Sequence, residues 1–276
     1  MKTKKYFFLG GLTRSGGTLL SAILNQNPDI HVSEVSPICD LTYKVNQLFD
    51  CSAEYQACPF ENRRIKVLRS IIDNYYYDID AKYIIDKHHS WSTEYNLSMI
   101  KSLYTDNVKI ICPVRDILEI LSSYINLLEK NKNNCSFIDR EILQYGLSNI
   151  DNDMRCDWLM SKHGTLKTQL TSLEYCMQYD ENTVLFLEYN DLVNEPKKQI
   201  EKIYNFLEID SFNHNFNDIE YNSTSRDSEV YGVPNLHKVR SQIKRTSPKV
   251  EEVLSKKIIQ KYKNIEFWRN ITEETI

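Results

Sequence analysis

Residues 6–28 read YFFLGGLTRSGGTLLSAILNQNP. Tyr6-Phe7-Phe8-Leu9 form a short apolar run of strand length, followed at once by Gly10-Gly11. From residue 17 to 26 apolar side chains recur at helical spacing until Asn27-Pro28 stops them. The order strand, glycine loop, helix is that of a phosphate-binding turn. Against the pattern G-x-x-x-x-G-K-[ST], Gly11, Gly16 and Thr18 match, and Gly17 stands where the lysine belongs. Glycines let such a loop turn its N–H groups inward, and the start of the helix adds partial positive charge. The missing lysine argues against a kinase or NTPase, because that lysine reaches the outer phosphates. Arg14 places a cation inside the loop instead. The alternative is a glycine-rich turn that holds no ligand.

Working outward, apolar runs of strand length alternate with helical patterns. Strands are expected at 82–86 (KYIID), 108–114 (VKIICPV) and 183–187 (TVLFL). Helices are expected at 61–79, 94–104, 116–129, 155–179, 196–207 and 248–263, the fifth with Pro196 at its first position. Such alternation implies parallel βαβ units, hence an α/β fold with a doubly wound parallel β-sheet flanked by helices and ligands at the carboxyl ends of its strands. The 276 residues suit one domain, 1–276. The polar, aperiodic stretch 210–245 reads either as a loop covering a nucleotide or substrate, or as a surface excursion.

After the strand 108–114 come Arg115 and, eight residues on, Ser123. An arginine fork at a strand end and a hydroxyl two helical turns later can clamp one phosphate. The alternative is an arginine paired with Asp116 or Glu119 on the same helix.

Three segments, in order, resemble the sulfotransferases that use 3′-phosphoadenosine 5′-phosphosulfate (PAPS). FFLGGLTRSGGTLLSAILNQNP is similar to the family's 5′-phosphosulfate loop, with Arg-Ser-Gly as in protein-tyrosine sulfotransferases. PVRDILEILSSY resembles the 3′-phosphate motif, and VLFLEYNDLVNEPKKQIEKIYNFLEI the strand–Tyr–helix segment. The likeness covers about residues 5–209. It implies a P-loop enzyme that moves a sulfuryl group from PAPS to an acceptor hydroxyl by in-line displacement and releases the bisphosphate PAP. By matched position, Arg14, Ser15, Gly16, Gly17, Thr18 and Leu19 would hold the phosphosulfate, Arg115 and Ser123 the 3′-phosphate, and Tyr189 would lie by the nucleotide. Glu34 is the implied base with Lys87 stabilising charge. His88 or His89 is the alternative, as in cytosolic members. Lys238 and Arg240 are candidates for a nucleotide-covering loop, although the Arg-Lys-Gly triplet of the cytosolic enzymes is absent. A nucleotide-binding module without activity remains the other reading.

The bulk properties restrict partners. A net charge of −4 gives no global field for nucleic acid, and 41% hydrophobic with 26% charged residues is globular composition. No metal is expected, since no acidic cluster or C-x-x-C pair stands out. The seven scattered cysteines read as reduced thiols, with a Cys51–Cys58 bridge the lesser reading. The N-terminal apolar run is too short for a signal peptide or a membrane span, so a cytoplasmic protein is expected. Matches to N-x-S/T at Asn96, Asn134, Asn222 and Asn270 are read as chance. The acceptor is left open among small molecules, glycans, lipids and peptide tyrosines.

Overall fold

The computed structural model describes residues 4–105, 107–131, 135–221, 226–245 and 248–270. Five strands form one sheet: β1 (Lys5–Leu9), β2 (Ile30–Val32), β3 (Tyr83–Lys87), β4 (Ile110–Val114) and β5 (Val184–Glu188). Their spatial order is β2-β3-β1-β4-β5, and every pairing is parallel. β1 lies in the middle, paired with β3 from Lys5↔Tyr83 to Leu9↔Lys87 and with β4 at Phe8↔Ile110 and Leu9↔Ile111. The chain leaves β1 toward β2 on one side and leaves β4 toward β5 on the other. The crevice at the carboxyl ends of β1 and β4 is therefore the switch point where open α/β sheets take ligands.

Alternation along the strands feeds two cores, because successive side chains face opposite sides of a sheet covered by helices on both. Phe8, Ile84, Ile110, Cys112 and Val114 join Leu68, Ile72, Ile117, Ile120, Leu121 and Leu173 on one face. Phe7, Leu9, Ile85, Ile111 and Leu187 join Leu20, Ile23, Leu24, Ile200, Ile203 and Leu207 on the other. All are nearly or fully buried.

Three expected elements differ in extent or number. The helix expected at 61–79 ends at Tyr75. The stretch 155–179 is two helices, Asn152–Leu159 and Thr165–Cys176. Gly164 separates them where a Cβ would lie 2.1 Å from the Trp158 carbonyl oxygen, so the close backbone approach decides the break. The stretch 248–263 is also two short helices, Val250–Val253 and Lys256–Tyr262. The helix Ile38–Cys51 and strand β2 were not anticipated.

The seven cysteines are unpaired thiols. Asn96 is buried and its amide nitrogen donates to the Ser90 carbonyl at 2.6 Å, which leaves no place for a glycan. Asn134 and Asn222 lie outside the described residues, as does the side chain of Asn270. Among the described residues no helix is long and apolar enough to cross a membrane.

Candidate active site

The loop after β1 is pressed onto the end of β4. The Gly10 and Leu12 amides donate to the carbonyls of Ile111 and Pro113 at 2.9 and 2.8 Å. Gly11 has φ +76°, and a Cβ there would stand 2.5 Å from the Pro113 oxygen. Gly16, at φ +88°, is the residue before the helix Gly17–Leu24. Arg14 also adopts a left-handed φ of 57°. For a residue with a side chain that conformation costs about 1–2 kcal/mol, so the surroundings must hold it in place.

They do so through the end of β4, the helix Ile117–Glu129 and the backbone at Leu236. Arg14 Nε donates to Ser123 Oγ at 3.3 Å, and its Nη1 donates to the Leu236 carbonyl at 2.5 Å. Arg115 Nη1 donates to the Arg14 carbonyl at 2.8 Å. The guanidinium of Arg115 lies over the Tyr189 ring, 4.1 Å from its centroid. Arg115 Nε also donates to Glu119 at 3.0 Å, so the alternative pairing on the helix exists beside the contact with the loop. Glu119 in turn accepts from Arg245 at 2.5 Å. Tyr189 begins a short helix after β5, and a Cβ on Gly16 would meet its ring at 2.9 Å. Burial lowers the pKa of Arg14, with Arg115 acting the same way; Tyr124 opposes them.

These groups border one cavity of about 620 Å³ at the crevice. Of the residues expected at the site, Arg14, Gly16, Gly17, Thr18, Leu19, Lys87, His88, Arg115, Ser123, Tyr189, Lys238 and Arg240 line it. Ser15 is buried behind the loop, with its hydroxyl facing the carbonyls of Leu12 and Pro113. Only its backbone faces an anion role. Glu34 is not part of the lining. Its carboxylate acts electrostatically on Lys87 and on Tyr221, whose hydroxyl it pushes up together with burial.

Lys87 stands beside Gly17, where the lysine of the phosphate-loop pattern is missing. From the end of β3 its Cε would touch a Cβ on Gly17 at 3.6 Å, and its Nζ donates to Thr18 Oγ1 at 3.1 Å. A lysine from the neighbouring strand thus occupies the space beside the loop. Burial lowers its pKa to about 8, with Glu34 pulling the other way.

The histidines next to it differ in tautomer. His88 Nδ1 accepts from the Ser90 amide at 3.2 Å, which leaves the proton of the neutral ring on Nε2. His89 Nδ1 faces the Gly11 carbonyl at 3.0 Å, so that nitrogen carries the proton and Nε2 keeps its lone pair. Burial and the Lys87 ammonium lower His89 to about 4. Among the described residues, Cys39, Asp40 and His88 are a trio with metal-ligand atoms within 4.8 Å. Burial raises the Cys39 thiol and His88 presents N–H rather than a lone pair, so the trio does not suit a cation.

Sequence reasoning missed the aromatic wall, where Tyr124, Phe137 and Tyr231 stand in edge contact at 6.3 and 6.0 Å. It also missed Gln169, whose Oε1 accepts from the Thr13 amide at 2.8 Å, and His237. No spacing rule marks any of them.

A sequence profile of the sulfotransferase family matches residues 7–214. The chain belongs to the sulfotransferase family. The profile covers β1 from Phe7 onward, the other four strands, and Arg14 and Arg115. No curated protein sequence matches this sulfotransferase significantly. Solved structures share its fold. The sulfotransferase domain from the curacin biosynthetic pathway superposes with a TM-score of 0.56 at 14% identity, covering 95% of this chain and 98% of that one. Mouse sulfotransferase SULT7A1 complexed with PAP gives 0.54 at 14% identity, covering 98% and 85%. The sulfotransferase domain from the Synechococcus PCC 7002 olefin synthase gives 0.50 at 19% identity, covering 99% and 90%.

Proposed function

We propose that this sulfotransferase takes its sulfuryl group from PAPS and passes it to an acceptor hydroxyl, releasing PAP. The observation that carries the reading is the meeting of two anion-binding segments at one cavity. Arg14 of the first bonds Ser123 of the second, and Arg115 of the second bonds the backbone of Arg14. Two anionic groups held a nucleoside apart, a 5′-phosphosulfate and a 3′-phosphate, match two such clamps. The PAP bound by the mouse enzyme of similar fold supports the same donor.

The roles follow from position. Backbone N–H groups of residues 15–19 and the start of the helix cradle the 5′ end. Arg115, braced by the Tyr189 ring, and Ser123 take the 3′-phosphate. Lys87 sits beside the loop where charge develops on the leaving phosphate oxygen, and an ammonium there lowers the barrier. Lys238 and Arg240 are exposed residues of the stretch 235–244 that lines the cavity. His89, kept neutral by burial, lines the same cavity. In-line attack forms the acceptor O–S bond as the S–O bond to the phosphate breaks. The aromatic wall suits an acceptor with an apolar body.

Thermal-shift titration with PAP, run beside ATP with magnesium, tests the donor. A ligand that binds only the folded chain raises its stability by RT ln(1 + [L]/Kd). A rise with PAP is expected. A rise with magnesium-ATP alone would turn the reading to phosphoryl transfer.

A further inference from the structure

A second imidazole lines the same cavity. His237, on the stretch 235–244, lines it. Its Nδ1 lies 2.7 Å from Asp227 Oδ1, and its backbone amide donates to Asp227 Oδ2 at 2.9 Å. Asp227 is 6% exposed, so the carboxylate is held away from water behind the ring. A carboxylate accepts only, so His237 Nδ1 carries a proton and Nε2 keeps its lone pair. The ring stands in edge contact with Tyr231 at 5.7 Å, the end of the aromatic wall. His89 responds electrostatically to His237, which puts the two imidazoles at one end of the chamber.

We infer that His237, oriented by Asp227, is the general base that takes the proton from the acceptor hydroxyl. This rests on the sulfuryl-transfer reading above. As the acceptor oxygen bonds sulfur, its proton passes to His237 Nε2. The S–O electron pair goes to the phosphate of PAP, and the imidazolium is stabilised by the Asp227 carboxylate. The proton leaves to water once product departs. The rival groups are less well set. Glu34 does not line the cavity, His88 presents N–H, and His89 has Lys87 beside it without a carboxylate behind it. Arg14 holds the Leu236 carbonyl next to it, which ties the imidazole to the phosphate loop.

The test uses the full chain saturated with PAP and labelled with ¹⁵N in histidine. Among the described residues, Arg14, Tyr221 and Tyr231 feel the Asp227 charge and His89 feels His237. His237 is expected as the Nδ1–H tautomer, and Asp227→Ala is expected to populate the Nε2–H tautomer as well. An Nε2–H tautomer in the wild type, or a tautomer balance that Asp227→Ala leaves unmoved, overturns the inference. In parallel, PAPS turnover with 2-naphthol as acceptor is followed as PAP formation. His237→Gln is expected to cut kcat by about 10²–10⁴-fold while PAP affinity stays within about twofold. A His237→Gln enzyme at full rate overturns it as well. If wild-type protein fails to bind PAP, the donor reading has failed instead.

Discussion

Replacing Gly16 by Ala tests the packing that joins the loop to the arginine clamp. The backbone at Gly16 has φ +88°, where an alanine costs about 1–2 kcal/mol. Its methyl would stand 2.9 Å from Tyr189 Cδ2, and displacing a buried ring costs about 1–3 kcal/mol more. Unfolding entropy of ~2.1 cal/mol/K per residue gives roughly 0.6 kcal/mol/K for 276 residues, so Tm should fall by about 3–9 °C. Gly146 is the control. It has φ +77° with nothing within 4 Å of a built Cβ, so Gly146→Ala carries only the backbone cost, about 2–3 °C. Because Tyr189 underlies Arg115 at 4.1 Å, Gly16→Ala should also weaken PAP binding severalfold, the scale of a cation–π contact of ~0.5–2 kcal/mol. Scanning calorimetry and PAP titration of both variants read these effects. A Gly16→Ala protein no less stable than Gly146→Ala, with wild-type PAP affinity, would refute the reasoning.

Two further predictions concern pH. Lys87 titrates at about 8 in the fold against 10.5 ordinarily. The unfolded chain binds more protons between these values, so stability rises with pH across that window while the cavity loses its ammonium. PAP affinity should therefore fall as pH rises through about 8, and Lys87→Met should flatten that slope in calorimetric titrations. His89, at about 4 against 6.5, makes the fold lose stability as pH falls from 6.5 toward 4. His89→Gln, whose amide can still donate to the Gly11 carbonyl, should reduce that loss in thermal scans, and an unchanged pH dependence would count against a buried neutral imidazole.

The parts of the fold legible in sequence were those with long local periods. β1, β3, β4 and β5 are apolar runs bounded by turns, and the helix Ile117–Glu129 carries a stripe that buries Ile117, Ile120, Leu121, Tyr124 and Leu128. β2 escaped because three residues, Ile30–Val32, set no period, and it exists only by pairing with β3. The helix Ile38–Cys51 buries Ile38, Cys39 and Thr42 while leaving Leu41 and Leu48 exposed, so its pattern is blurred. At the site, the loop glycines, Arg115 and Ser123 were readable because each depends on a strand end and a fixed spacing. Lys87 beside Gly17 could be proposed only through resemblance, since its place by the loop comes from the β1–β3 pairing. The His237–Asp227 pair was not readable at all. Nine residues separate them, the first three in the short helix Asp227–Val230, and only the tertiary fold brings the imidazole to the cavity.

The central claim is a donor site that recognises a 3′-phosphate through Arg115. Calorimetric titration of PAP and of AMP, which lacks that phosphate, into wild-type and Arg115→Ala protein tests it most directly. A hydrogen bond to a charged group contributes about 1.5–3 kcal/mol, or roughly 10–150-fold in Kd. Wild-type protein should prefer PAP over AMP by about that factor, and Arg115→Ala should bind both alike. Equal affinity for PAP and AMP in the wild type, or a preference for PAP that survives Arg115→Ala, would contradict the account.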